Sequence, residues 1–359
     1  MEILNFIIPF IILITVVVFV HEYGHYYIAK KYGVGITDFS IGFGKELFGF
    51  KDNLGTRWKF CAIPLGGYVK FFGDRNVFSQ AEQEELLKKY TKEDQTKLFV
   101  TKPLYQRSLI VAAGPIANFL LAIIIFTFIY IFSGKDFTPA YINEVQKDGP
   151  AYSAGIKSGD IIISINDNKI SSVLDVSTFI NTSAKENIIV RVLRNETELD
   201  FQLSPKMIES EDSLGNKINK KIIGIKVAPP ENQLNKKKLG PATALFYAIK
   251  ETWFVTRSSL EYVVSIFKGK GDTNQLGGPI KIAKITGQVA QLGLIAFLSI
   301  TAYISISLGF INLFPIPMLD GGHLMFYAFE KVLGRPLTQK TQESFFRIGL
   351  FLLIFLMLF

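Results

Sequence analysis

Residues 3–25 read ILNFIIPFIILITVVVFVHEYGH, an apolar run from Ile3 to Val20 that passes straight into His21-Glu22-Tyr23-Gly24-His25. A charge-free stretch of this length reads as a membrane-spanning helix. Ionisable side chains at the end of such a helix are costly to place and point to function. The run does not read as a cleaved leader: Glu2 stands where a basic region would, and no small-residue cleavage site follows. We read residues 1–32 as a retained span whose His21 end, flanked by Lys30 and Lys31, faces the cytoplasm.

His21 and His25 are one helical turn apart and about 40° apart around the axis, so both imidazoles present to one side and can bind one Zn²⁺. Glu22, offset by about 100°, reaches a water held there without being a ligand. Zinc lowers the pKa of such a water toward about 7, and the carboxylate accepts its proton. The plain alternative is a buried, hydrogen-bonded histidine pair. It loses ground because the chain has three histidines and two of them lie in this motif.

A catalytic zinc generally takes three protein ligands. The apolar run from Leu292 to Leu319 is broken at Pro315 and Pro317, just before Leu319-Asp320-Gly321-Gly322-His323. If the spans alternate in direction, the first and third are parallel and bring Asp320 to the level of His25. Asp320 is the expected third ligand, its flanking glycines letting backbone approach the metal, and His323 is the competing candidate. Asn118 and Asn312 are polar groups within apolar runs, where each could hold a substrate peptide group or hydrogen-bond between helices. The reading leans to substrate contact for Asn312 and to packing for Asn118.

Working outward, the expected organisation is a membrane-associated β region and cytoplasmic loop at 33–107 and a second span at 108–132. A β-rich domain follows at 137–206, then an extracytoplasmic linker with an amphipathic helix at 207–289. The third span lies at 290–323, and a loop with a fourth helix at 324–359. Strands are indicated by Gly42-Phe43-Gly44 and the alternation from Thr56 to Phe72, and a short charged helix by Ala81 to Tyr90. The helix at Ala242 to Phe267 either lies on the membrane surface or packs on the β-rich domain. The last run, Ile348 to Phe359, makes only about 18 Å of helix, short for a span, which implies a thinned membrane or a truncated chain. The fold class is thus a multi-pass α-helical membrane protein of about four transmembrane helices with two β-rich parts.

Composition agrees: 49% of the 359 residues are hydrophobic. The net charge of +8 is spread along the chain beside apolar segments, which orients helices and meets anionic lipid rather than nucleic acid. Cys61 is the lone cysteine, so no intramolecular disulfide can form.

The motifs together resemble those of the bacterial site-2 proteases, most closely the regulator-of-sigma-E protease type. The likeness is carried by the His21–His25 pentapeptide, Phe39-Ser40-Ile41-Gly42-Phe43-Gly44, Ile63-Pro64-Leu65-Gly66-Gly67-Tyr68-Val69-Lys70 and Ala113-Gly114-Pro115-Ile116-Ala117-Asn118. It continues through Gly277-Gly278-Pro279-Ile280 and the stretch from Asn312 to His323. The resemblance implies zinc ligands His21, His25 and Asp320, with Glu22 as acid/base. It also implies a β structure from Gly42 to Phe72 beside the site, with Gly42 and Gly44 on the substrate side and an edge that pairs with an unwound substrate strand.

Asp148 to Ile162 looks like part of a PDZ domain, which in this family faces the periplasm, binds peptide ends and filters substrates by size; here one such domain is indicated rather than two. Substrates implied are single-span membrane proteins of the inner membrane, such as anti-sigma factors after a first cut, or leftover signal peptides. Two other classes compete: a catalytically inactive membrane PDZ adaptor, which has no need of Glu22, and a transporter-like bundle with a structural zinc, which would be closed by a fourth ligand.

Overall fold

The structure, a computed structural model, describes residues 2–73, 87–166, 168–170, 172–183, 186–211, 217–228, 235–269 and 277–358. Most of the charged helix expected from Ala81 to Tyr90 therefore lies outside the described residues. Helix α1 spans Glu2–Lys31. Leu13 and Val17 on it are fully buried, while Ile8, Ile12 and Val16 are exposed, so one stripe packs inward and the opposite apolar stripe is left for lipid.

Two long strands follow, β1 at Ile36–Lys51 and β2 at Arg57–Phe71. Each doubles back on itself. Asp38 to Ile41 pair on one side with Arg57 to Phe60 and on the other with Gly67 to Lys70, while Phe48 to Lys51 take the far side of Arg57 to Phe60. The bends fall at Gly42 (φ 88°) and Gly66 (φ 127°), backbone angles that glycine adopts without a Cβ penalty. Phe39 stacks on Trp58 with ring centroids 4.3 Å apart and packs with Tyr26 of α1, which fixes this sheet to the helix that carries the histidines. Leu47, Phe48 and Phe50 remain exposed, as a membrane-associated sheet would leave them.

Helix α2, Leu104–Phe132, packs against α1 at Gly24, where any Cβ would strike the Ala113 carbonyl. The chain then enters a second compact unit, residues 126–277. Its sheet is built from β3 (Ala140–Val145), β4 (Ile161–Ile165), β5 (Asn168–Lys169), β6 (Ile188–Arg194), β7 (Thr197–Leu203) and β8 (Ile225–Val227). The order is β8-β3-β4-β6-β7, with β5 paired to β4. Ile188, Val190 and Val192 alternate inward on β6 and join Ile142, Ile162 and Ile165 in the core. Helix α3, Val173–Thr182, starts with a capping box of Ser172 and Asp175.

The sheet of this unit also takes in β8, which pairs with β3 at its edge. Helix α4, Pro241–Phe267, sets Phe254 against the sheet's core and leaves Trp253 and Phe267 exposed, so packing on the β-rich domain accounts for one of its faces.

The chain returns to the first unit through α5 (Pro279–Gln291), α6 (Leu294–Asn312), α7 (Asp320–Leu333) and α8 (Gln339–Leu358). Among the described residues three helices are long and apolar enough to span a membrane: α1, α2 and α6. The protein is a multi-pass α-helical membrane protein with β-rich parts. The third span ends at Asn312 rather than continuing to the prolines, and the loop 313–319 folds back so that Asp320 opens a new helix. Gly321 and Gly322 permit this: Cβ atoms there would meet the carbonyls of Phe314 and Ile316. The glycines thus serve loop-on-helix packing, where the sequence suggested backbone approach to a metal. Arg107 at the start of α2 makes a two-pronged bond to Glu330 of α7, which fixes the α7 end of this arrangement.

Candidate metal centre

α1 carries His21 and His25 one turn apart, and α7 delivers Asp320 from nearly the other end of the chain. His21 Nε2 lies 3.1 Å and His25 Nε2 3.5 Å from Asp320 Oδ2, and the two ring nitrogens are 3.3 Å apart. One ligand atom from each residue falls within 4.8 Å of the others. His25 Nδ1 is 2.9 Å from the Ile110 carbonyl, to which it donates, so Nε2 presents a lone pair to this point. Asp320 Oδ2 is buried without a hydrogen-bond donor. Two ring nitrogens and a carboxylate oxygen gathered around a common point fit a divalent cation, and two imidazoles with one carboxylate suit zinc.

The three residues line one cavity of about 460 Å³ together with Glu22, Asn312 and His323. His323 sits beside Phe346 and is not part of the ligand cluster. The Val69 backbone amide donates to the Glu22 carboxylate from the strand that forms the cavity wall. Asn312 Nδ2 stands 3.4 Å from His21 Nε2, inside the cavity, where an amide can meet a bound peptide group. Gly42 and Gly44 do not line the cavity; their bends present Phe43, which does.

Asn118 occupies another place. It is fully buried, and its amide lies 3.3 Å from His21 Nδ1, on the side of the ring away from the cluster. Its Oδ1 is left without a partner while Nδ2 faces Nδ1. Turning the amide over resolves this: Oδ1 accepts from Nδ1–H, and His21 Nε2 is left with its lone pair for the metal. Asn118→Ala is expected to weaken zinc affinity about 10–100-fold. Asn118→Asp, which keeps an acceptor, should recover most of it; a chelator competition titration reads both. Equal affinity in all three proteins would show that Asn118 only packs.

The profile of Peptidase family M50 matches residues 9–356. The chain belongs to peptidase family M50. A Mesorhizobium japonicum protein named "Putative zinc metalloprotease" is 40% identical over 359 residues, covering 98% of this chain and 96% of its own. One from Rhizobium meliloti, similarly named, is 41% identical over 357 residues, covering 99% and 95%. Metalloprotease MmpA of Caulobacter vibrioides is 34% identical over 374 residues, covering 98% and 93%. The PDZ domain of an SdrC-like protein from Listeria monocytogenes aligns with 25% of this chain and 88% of its own, at 20% identity and a TM-score of 0.21. The family match bears out the resemblance drawn from the motifs.

The fold also uses residues to which sequence reasoning gave no role of their own. A Cβ at Gly114 on α2 would strike both imidazoles, and one at Gly67 would crowd Glu22 Cγ at 3.1 Å. Met318 holds φ 85°, a left-handed angle costly for a side chain that carries a Cβ, two residues before Asp320. Glycine's lack of bulk becomes informative only once its neighbour across the helix interface is known.

Proposed function

We propose that this chain is an intramembrane zinc metalloprotease that cuts single-span membrane proteins in a site-2 manner. The observation that carries the reading is the convergence of His21, His25 and Asp320 on one buried point, with Glu22 in the same cavity and on a helix long and apolar enough to span a membrane. His21 Nε2, His25 Nε2 and an Asp320 oxygen would hold the ion. When bound, zinc supplies Lewis acidity that activates water and polarises the scissile carbonyl.

The Glu22 carboxylate takes the proton of the attacking water and passes it to the departing nitrogen. The Asn312 amide donates toward the carbonyl oxygen. A helix hides its carbonyls from attack, so the substrate must unwind, and the edge at Gly67 to Phe71 offers backbone groups for an extended segment. Substrates of this kind are anti-sigma factor type proteins or remnant signal peptides. The second unit acts as a PDZ-type domain on the periplasmic side of the inner membrane, with a peptide end as its ligand; its loop-to-strand sequence from Asp148 to Ile162 supports this.

The test is metal removal. The detergent-purified protein is incubated with a fluorogenic single-span substrate before and after chelation, then with zinc restored. Cleavage should stop and return. Undiminished cleavage in chelator would overturn the metalloprotease reading, and no cleavage in any arm would favour the inactive adaptor.

A further inference from the structure

A second cavity, about 600 Å³, lies at the far end of α1, between the helix terminus, the start of β1 and the turn joining β1 to β2. Its lining includes Lys30, Lys51, Arg57 and Lys97, against one carboxylate, Asp38. That carboxylate is already engaged: Lys59 Nζ lies 2.5 Å and Thr37 Oγ1 2.9 Å away. Burial pushes the Asp38 carboxyl up, but these bonds outweigh it and hold the group below the usual carboxylate range, so it stays an acceptor spent on its own partners. Nearby Asp52 is spent as well, accepting from Trp58 Nε1, Tyr26 OH and the amides of Leu54 and Thr56.

Among the described residues Lys30 and Lys51 form no ion pair. Lys30 sits over the Tyr26 ring at 5.7 Å. Arg57 and Lys97 pair with Glu46 and Asp94, but both cations are about half exposed, and such pairs contribute little and exchange readily. The cavity therefore presents two cations, Lys30 and Lys51, with no ion-pair partner among the described residues, beside two whose pairs are half exposed.

Its place in the fold points to what fills it. Lys30 and Lys31 close the membrane-spanning stretch Asn5–Lys31, the depth at which acyl chains give way to headgroups. Leu54 on the cavity wall is 71% exposed, and Phe50, next to the lining residue Lys51 on β1, is also exposed, so apolar surface borders the positive site. We propose that this cavity binds a phosphate ester, as carried by an anionic phospholipid headgroup or by a soluble phosphate. Bound there, the phosphate bridges the end of α1 and the β1–β2 turn. It would tie the sheet that carries Phe43 and Gly67 to the helix that carries the histidines.

The experiment uses the full chain in nanodiscs. Binding of spin-labelled phosphatidylglycerol is compared with spin-labelled phosphatidylcholine for the wild type, for Lys30→Gln/Lys51→Gln, and for the charge-matched control Lys157→Gln/Lys226→Gln in the second unit. Wild type and control should prefer phosphatidylglycerol, and the cavity variant should lose about thirtyfold in that preference, at roughly one surface-lysine contribution for each residue removed. Melting in detergent should be equal for all three, showing that the variant folds.

A separate arm adds soluble glycerol phosphate and reads competition with the spin label and any rise in melting temperature that the cavity variant lacks. Lipid preference without competition assigns the site to a headgroup; competition, or glycerol phosphate binding lost in the cavity variant, assigns it to the soluble ester. The proposal is overturned if the cavity variant matches the wild type in every arm, or if the control loses as much.

Discussion

Glu22→Gln should lower cleavage of a single-span substrate by about 10²–10⁴-fold, the usual worth of a general acid–base group, while leaving zinc content whole. The substitution keeps the side chain's shape and can still occupy the space beside the Val69 amide, so the cavity wall has little reason to move. Among the described residues it removes the only acidic group lining the cavity that is not in the ligand cluster. None of the three clustered ligand atoms belongs to Glu22, so metal analysis and single-turnover cleavage report separate properties of one protein. Loss of rate with metal retained assigns the proton transfer to Glu22. Retained rate would mean that another group does the work, and His323, which shares the cavity, would become the first candidate. Loss of both would place Glu22 among the groups that hold the metal.

The His21, Glu22 and His25 arrangement was legible because helical periodicity is a local property: spacing alone fixes which side chains share a face. The arrival of Asp320 could be anticipated only through alternation of spans. The structure reaches the same meeting by a different local route, since α6 stops at Asn312 and the loop 313–319 turns the chain before Asp320. Two prolines mark that a helix ends but do not say which residue ends it. Asn118 was ambiguous in sequence because a polar residue in a span looks the same whether it faces substrate, another helix or the back of an imidazole. Only the 3.3 Å contact to His21 Nδ1 separates these. The doubled-back pairing of β1 and β2 was likewise hidden, as alternation identifies strands but not their partners.

Gly114→Ala should cost the protein its metal without unfolding it. The added Cβ would point from α2 at His25 Nε2 and Cε1 and at His21 Cε1, atoms that belong to the ligand rings themselves. Neither side yields easily. Gly114 lies inside α2, whose backbone is held by its own hydrogen bonds, and His25 is tethered through Nδ1 to the Ile110 carbonyl one turn away on that same helix. The rings must therefore turn out of the geometry that points both Nε2 atoms at Asp320, and a displacement of about 1 Å at a catalytic group costs on the order of 10²-fold in rate.

Helix propensity acts in the opposite direction, since alanine in a helix interior is favoured over glycine by about 0.5–1 kcal/mol. That gain offsets part of the roughly 1–3 kcal/mol that overpacking brings. The expected result is a metal-depleted protein whose melting temperature, compared with that of the chelated wild type, changes by only a few degrees. Stoichiometric zinc and full cleavage in Gly114→Ala would show that the two helices can part at this point at little cost, and the close approach of α2 to the imidazoles would then have no bearing on how the ion is held.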